Sequence, residues 1–106
     1  MTRSRVPLRI AADHPALAGH FPGQPIVPGV VLLDEVVQAI QAQRHLPTGA
    51  GWRIEVVKFH QVVLPDQPLQ LDYEADSGGA LAFELHCAGS LAASGTLIPA
   101  AARTPA

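Results

Sequence analysis

The chain has 106 residues, 48% of them hydrophobic and only 15% charged, with a formal net charge of −2. That length fits one domain spanning 1–106, burying roughly 60–65% of its unfolded surface around one modest core. The charge argues against a nucleic-acid binder, because the seven basic residues (Arg3, Arg5, Arg9, Arg44, Arg53, Lys58 and Arg103) form no run, and the apolar balance argues for surface buried against a partner subunit.

Arg5 to Ala11 reads as a short strand, with Val6, Leu8 and Ile10 alternating against Pro7 and Arg9. Asp13 to Pro28 reads as a loop, because Pro15, Pro22, Pro25, Pro28, Gly19 and Gly23 forbid regular structure. A helix is expected from Gly29 to Leu46. Pro28 suits its first turn, where a missing N–H costs nothing, and Pro47 and Gly49 end it. Val30, Leu33, Val37 and Ile40 form an apolar stripe that Val31, Leu32 and Val36 widen almost all round, so the helix is expected to be buried. Its β-branched residues are poor helix formers, and tertiary burial must hold it.

Four strand candidates follow. Arg53 to Leu64 is rich in Val, Ile and Phe, and its alternation changes phase near Lys58, which suggests a bulge. Leu64 to Pro68 is a turn. Leu69 to Asp76 alternates with Leu69, Leu71, Tyr73 and Ala75 inward and Gln70, Asp72, Glu74 and Asp76 outward. Ser77-Gly78-Gly79 signals a hairpin, Ala80 to Ala88 puts Leu81, Phe83, Leu85 and Cys87 on one face, and Leu91 to Ile98 is the last strand. The Ala/Pro-rich tail after Pro99 reads as loose. The predicted class is α+β, an antiparallel sheet wrapped around one long helix.

The stretch richest in chemistry runs from His20 to Gln38. It sets an imidazole in a Pro/Gly loop, starts an apolar helix at Pro28-Gly29 and places Asp34 within that helix. An imidazole titrates near neutral pH and can act as a base. The first amides of a helix are unpaired and carry partial positive charge, and a glycine there lets a ligand approach the backbone closely. A carboxyl in apolar surroundings can keep its proton and act as an acid. Asp34 and Gln38 are four residues apart and share a face, whereas Glu35 lies about 100° around the helix. Outside this context His20 would read as a structural or exposed histidine, and Asp34 as a helix charge at a subunit interface.

His20-Phe-Pro-Gly-Gln-Pro-Ile-Val-Pro-Gly29, followed by Asp34 and Gln38, resembles the signature of the hotdog-fold 3-hydroxyacyl-[acyl carrier protein] dehydratases, the FabZ/FabA family. Lys58 to Gln67 resembles that family's strand after the helix, with its Pro-Gly-Asp-Gln turn shortened by one residue. Asp34 stands where FabZ enzymes carry Glu and FabA-type enzymes carry Asp. The chain also resembles the short dehydratases of lipid or aryl-polyene clusters. The resemblance implies a hotdog fold and dehydration of 3-hydroxyacyl thioesters to trans-2-enoyl thioesters, without cofactor or metal. It implies His20 as base, Asp34 as acid, Gly29 N–H on the thioester oxygen, Gln38 beside the acid, and the Ile26 carbonyl orienting His20. The expected partners are an acyl carrier protein bearing a phosphopantetheine-linked substrate and a second copy of the chain. Base and acid then come from different subunits of a homodimer, or of a higher homo-oligomer.

Two other readings stand beside it: a hotdog acyl thioesterase whose carboxylate activates water, and a non-catalytic acyl-binding or partner subunit that kept the motif. Lys58 and Arg53 are candidates for an acidic carrier or a phosphate, although a solvated strand explains them more simply. Gln24 stands where FabZ commonly has lysine, which makes the rim less basic. His60 is a candidate for the border of an acyl tunnel. His14, His45, His60 and His86 show no metal-ligand spacing with one another or with Cys87. Cys87 is alone, so a reducing compartment fits. No apolar run reaches the ~18 residues of a membrane span, and the N-terminal residues lack the apolar core of a signal peptide. A cytoplasmic location is expected.

Overall fold

The computed structural model describes residues 3–11, 13, 26–45 and 51–99. His14, His20 and Gln24 lie outside the described residues, as do Pro47, Gly49 and the tail beyond Pro99. The described elements, in chain order, are β1 (Ser4–Leu8), α1 (Gly29–Arg44), β2 (Trp52–Phe59), β3 (Leu69–Ala75), β4 (Leu81–Cys87) and β5 (Ser90–Pro99). The strands form one antiparallel sheet in the order β1-β3-β4-β5-β2. Pro7 falls within β1, which is an edge strand and so tolerates a residue with no N–H to donate.

The alternation read from β3 and β4 is the alternation observed. Leu69, Leu71 and Tyr73 pair with Cys87, Leu85 and Phe83, and all six are buried. They share one core with Val31, Leu32, Val36 and Ile40 of α1. Burying each large side chain contributes about 1.5–3 kcal/mol, which offsets the weak helix propensity of a Val-rich segment. Gly95 sits opposite Phe83 on β4 and Val57 on β2. A Cβ at Gly95 would run into the Val56 carbonyl oxygen and approach the Phe83 ring to 2.9 Å, so the glycine makes room for that ring.

Four expectations need correction. Val30 is not part of the buried stripe: it is 73% exposed, and the stripe runs through Val31, Leu32, Val36 and Ile40. Two residues along a helix turn the face by about 200°, so once Leu32 faces the sheet, Val30 and Asp34 face away from it. The first strand ends at Leu8 rather than Ala11. β2 ends at Phe59 rather than Leu64, because the His60 and Gln61 N–H groups both turn onto the Ala92 carbonyl (2.8 and 3.4 Å). The bulge lies between Ile54 and Val56, leaving Glu55 unpaired, and not near Lys58.

The connection after β2 is tied down by backbone bonds. Val27 N–H donates to the Val63 carbonyl (2.8 Å), and Asp66 N–H donates to the Ile10 carbonyl (2.8 Å). The Val27 bond holds the segment entering α1 against the segment leaving β2, and this fixes where the helix begins.

Candidate active site

α1 starts bare. Pro28 at its N-cap has ψ 148° and offers no side-chain hydrogen bond, and the first turn has no acidic residue. The Pro28 carbonyl accepts from the Val31 and Leu32 N–H groups (3.0 and 3.1 Å). The Gly29 N–H meets no acceptor among the described residues. An uncapped first turn leaves partial positive charge pointing out of the helix end, the arrangement that holds a developing oxyanion.

Phe59, the last residue of β2, lies directly on Gly29. A Cβ at position 29 would stand 2.9–3.1 Å from three atoms of its ring, so only glycine fits beneath it without displacing the ring. In front of this pair opens a cleft of about 380 Å³, lined by Ile26, Gly29, Leu32, Phe59, His60 and Val62 among others. Its walls are mainly apolar, which suits an acyl chain. The sequence singled out Ile26, Gly29 and His60, and the fold brings all three to this cleft. His60 is held there by a hydrogen bond between its Nε2 and Ser94 Oγ (3.0 Å). Phe59 was missed. The available signal was its inward phase in a strand that ends beside the helix start, but a strand phenylalanine usually means core.

Asp34 and Gln38 meet as their spacing predicts: Gln38 Nε2 donates to Asp34 Oδ2 at 2.7 Å. Both are exposed in this chain, on the stripe that begins at Val30, so the apolar surroundings expected for Asp34 are not supplied by the protomer's own core. Glu35 is half-buried and points elsewhere around the helix. His20, the expected base, lies outside the described residues. Of the two cations considered for a carrier, Arg53 is paired with Glu55 at 2.9 Å, and Lys58 makes no ion pair among the described residues.

A second polar cluster was not visible in the sequence. Asp72 faces away from the helix yet is only 4% exposed. Arg5 Nε lies 3.0 Å from its carboxylate, with Arg3 at 3.9 Å and His86 at 3.8 Å. Burial alone would raise the Asp72 pKa, but the hydrogen bond and charge of Arg5, helped by Gln70 and Arg3, outweigh it and hold the carboxyl below its ordinary value. Ligand atoms of Asp72, Glu84 and His86 come within 4.8 Å of one another, a grouping that linear spacing does not reveal. Arg3 also lies 2.7 Å from Glu84, so arginines already supply the balancing charge.

Comparison with known proteins follows the same lines. Residues 1–96 match the ApeI-like family model, described as ApeI dehydratase. A 3-hydroxyacyl-[acyl-carrier-protein] dehydratase FabZ from Chloroflexus aggregans is 36% identical over 73 residues, covering 63% of this chain and 51% of that protein. The chain spans about half the length of the curated relatives it matches. The dehydratase heterocomplex ApeI:P from Xenorhabdus doucetiae superposes with a TM-score of 0.75 at 29% identity, over 92% of this chain and 86% of that one. An (R)-hydratase from A. caviae matches with a TM-score of 0.66 at 17% identity, covering 92% and 93% of the two chains, a likeness of fold alone. The antiparallel five-stranded sheet with its one described helix is therefore a hotdog fold, and the chain belongs to the ApeI-like dehydratase family.

Proposed function

We propose that this chain dehydrates 3-hydroxyacyl thioesters, carried on an acyl carrier protein, to trans-2-enoyl thioesters in fatty-acid or polyene-type synthesis. The observation that carries this reading is the open Gly29 N–H at the start of α1, set beside an apolar cleft, with a hydrogen-bonded Asp34–Gln38 pair five residues further along the helix. The Gly29 amide polarises the thioester oxygen, which makes the C2 proton acidic. His20 takes that proton, the C2=C3 bond forms, and the C3–O bond breaks. Asp34 gives the leaving hydroxyl its proton, so that water departs. Gln38 positions the Asp34 carboxyl, and the Ile26 carbonyl orients His20.

The site is composite, pairing His20 of one chain with Asp34 of a second copy. The exposure of Asp34 and Gln38 beside the apolar Val30 supports this, because such a face is suited to being covered by a partner. Cys87, free and buried, suits a reducing cytoplasm.

The test is incubation with a 3-hydroxyacyl thioester, on carrier protein and on coenzyme A, followed by mass spectrometry beside His20→Ala and Asp34→Asn. Loss of one water with the thioester intact, abolished in both variants, is expected. Release of free acid, or turnover unchanged in either variant, would refute the assignment.

A further inference from the structure

On the face of the sheet away from the helix, three side chains with ligand atoms converge. Asp72 and Glu84 are direct partners across β3 and β4, and His86 follows two residues after Glu84 on the same face. A carboxylate oxygen from each acid and a ring nitrogen of His86 all lie within 4.8 Å of one another. His86 Nε2 stands 3.4 Å from Glu84 Oε1 and 3.8 Å from Asp72 Oδ2. Ligand atoms about 2.0–2.2 Å from a tetrahedral zinc ion are about 3.3–3.6 Å apart, so the shorter separation already fits and the longer one needs only a small side-chain shift. The two oxygens of Asp72 differ in their partners. Oδ1 accepts from Arg5 Nε at 3.0 Å. Oδ2, which faces the cluster, accepts among the described residues only from Gln70 Nε2, at 3.4 Å. Asp72 is buried, so this oxygen is poorly satisfied and shielded from water, and it calls for a further partner.

We propose that Asp72, Glu84 and His86 form a zinc site, in which the ion displaces Arg3 from Glu84 and ties β3 to β4. Two carboxylates directly opposed on a sheet repel one another, and a cation between them relieves this. The Arg3 guanidinium does so in part, 2.7 Å from Glu84 and 3.9 Å from Asp72, but it reaches in from solvent. An exposed ion pair of this kind contributes little, so a small dication can take its place. An imidazole with two carboxylates suits zinc better than magnesium or calcium, which prefer oxygen ligands throughout. Beside the cluster a cavity of about 470 Å³, lined by Arg5, Gln70, Asp72 and His86 among others, leaves room for water as a fourth ligand. None of the three ligands lines the Gly29 cleft, so the site is structural, and the inference stands apart from the dehydratase reading.

The experiment titrates zinc chloride into the untagged full chain at neutral pH, read by calorimetry and by thermal melting. One zinc per chain is expected, with a melting temperature that rises with zinc concentration, because the ion binds the folded state. His86→Ala and Glu84→Gln should each weaken binding by more than about tenfold. Both positions are partly exposed, and a melt of each zinc-free variant checks that it folds. Arg3→Ala should tighten binding by about two- to fivefold, since the competing cation is gone and exposed ion pairs act over that range. His20→Ala and His60→Ala should bind as the parent does, which separates this site from zinc captured at the cleft. No saturable binding below about 1 mM zinc would overturn the proposal. So would binding that survives His86→Ala and Glu84→Gln, binding lost in His20→Ala or His60→Ala, or an affinity that Arg3→Ala leaves unchanged.

Discussion

Gly29→Ala separates the stability of the helix start from its chemistry. The added methyl would stand 2.9 Å from Phe59 Cζ and 3.0 and 3.1 Å from its two Cε atoms, closer than carbon atoms approach without strain. Phe59 is 51% exposed and all three contacts are to the outer part of its ring, so the ring can swing into solvent. Moving it off its rotamer costs about 0.5–1.5 kcal/mol. Alanine returns up to about 1 kcal/mol of helix propensity. The net change in stability is therefore within about 1 kcal/mol, or a melting shift within about 8 °C for a domain of this size. Catalysis is affected differently. The methyl and the displaced ring occupy the approach to the Gly29 N–H, and a misplacement of about 1 Å at a reacting centre costs on the order of a hundredfold in rate. Steady-state turnover of a 3-hydroxyacyl thioester, beside a thermal melt, reads both quantities. A normal melt with kcat/KM reduced about a hundredfold is expected, with partial recovery in Gly29→Ala/Phe59→Ala. A variant that folds and turns over within about threefold of the parent would refute the assignment of this amide, since threefold is only about 0.6 kcal/mol of barrier.

Gly95→Ala meets backbone rather than a mobile ring tip, namely the Val56 carbonyl oxygen, with the Val57 Cα at 3.1 Å. It should therefore destabilise by about 1–3 kcal/mol in a urea titration, and an unchanged midpoint would show that the β2–β5 ladder yields more readily than argued. Asp72→Asn tests the buried carboxylate. Because the folded-state pKa of Asp72 lies below its ordinary 3.8, its contribution is present above that value and is lost as pH falls through the folded-state pKa. The variant should be less stable than the parent by about 1 kcal/mol at about pH 7, a modest figure because Arg5 is well exposed. That gap should narrow below about pH 4, and a gap independent of pH would count against the ion pair as its source.

Much of the fold could be read directly from residue order. β3 and β4 alternate strictly, and a period of two permits only one assignment of faces. Pro28-Gly29 marks the helix start, with Pro28 at the N-cap in extended backbone rather than in the first turn, and a run of apolar residues following. The Asp34–Gln38 bond follows from a spacing of four, a local property of any helix. His20 reads as a candidate base only through the resemblance of its motif, and it lies outside the described residues.

What escaped the sequence depended on contacts between distant segments. A helix apolar on most sides carries no record of which side meets the sheet, so the stripe through Leu32 and Val36 rather than Val30 was decided by packing. The bulge at Glu55 is a matter of register with β5 some forty residues away. The burial of Asp72 needs Arg3 and Arg5, which arrive from the far end of the chain when β1 pairs with β3. Phe59 rests on Gly29 where the start of α1 meets the end of β2, a junction that the Val27–Val63 hydrogen bond helps to hold. Sequence alone determined the residue types, their periods and the local helix geometry. Tertiary structure alone decided which faces meet, because burial and pairing are properties of two segments at once.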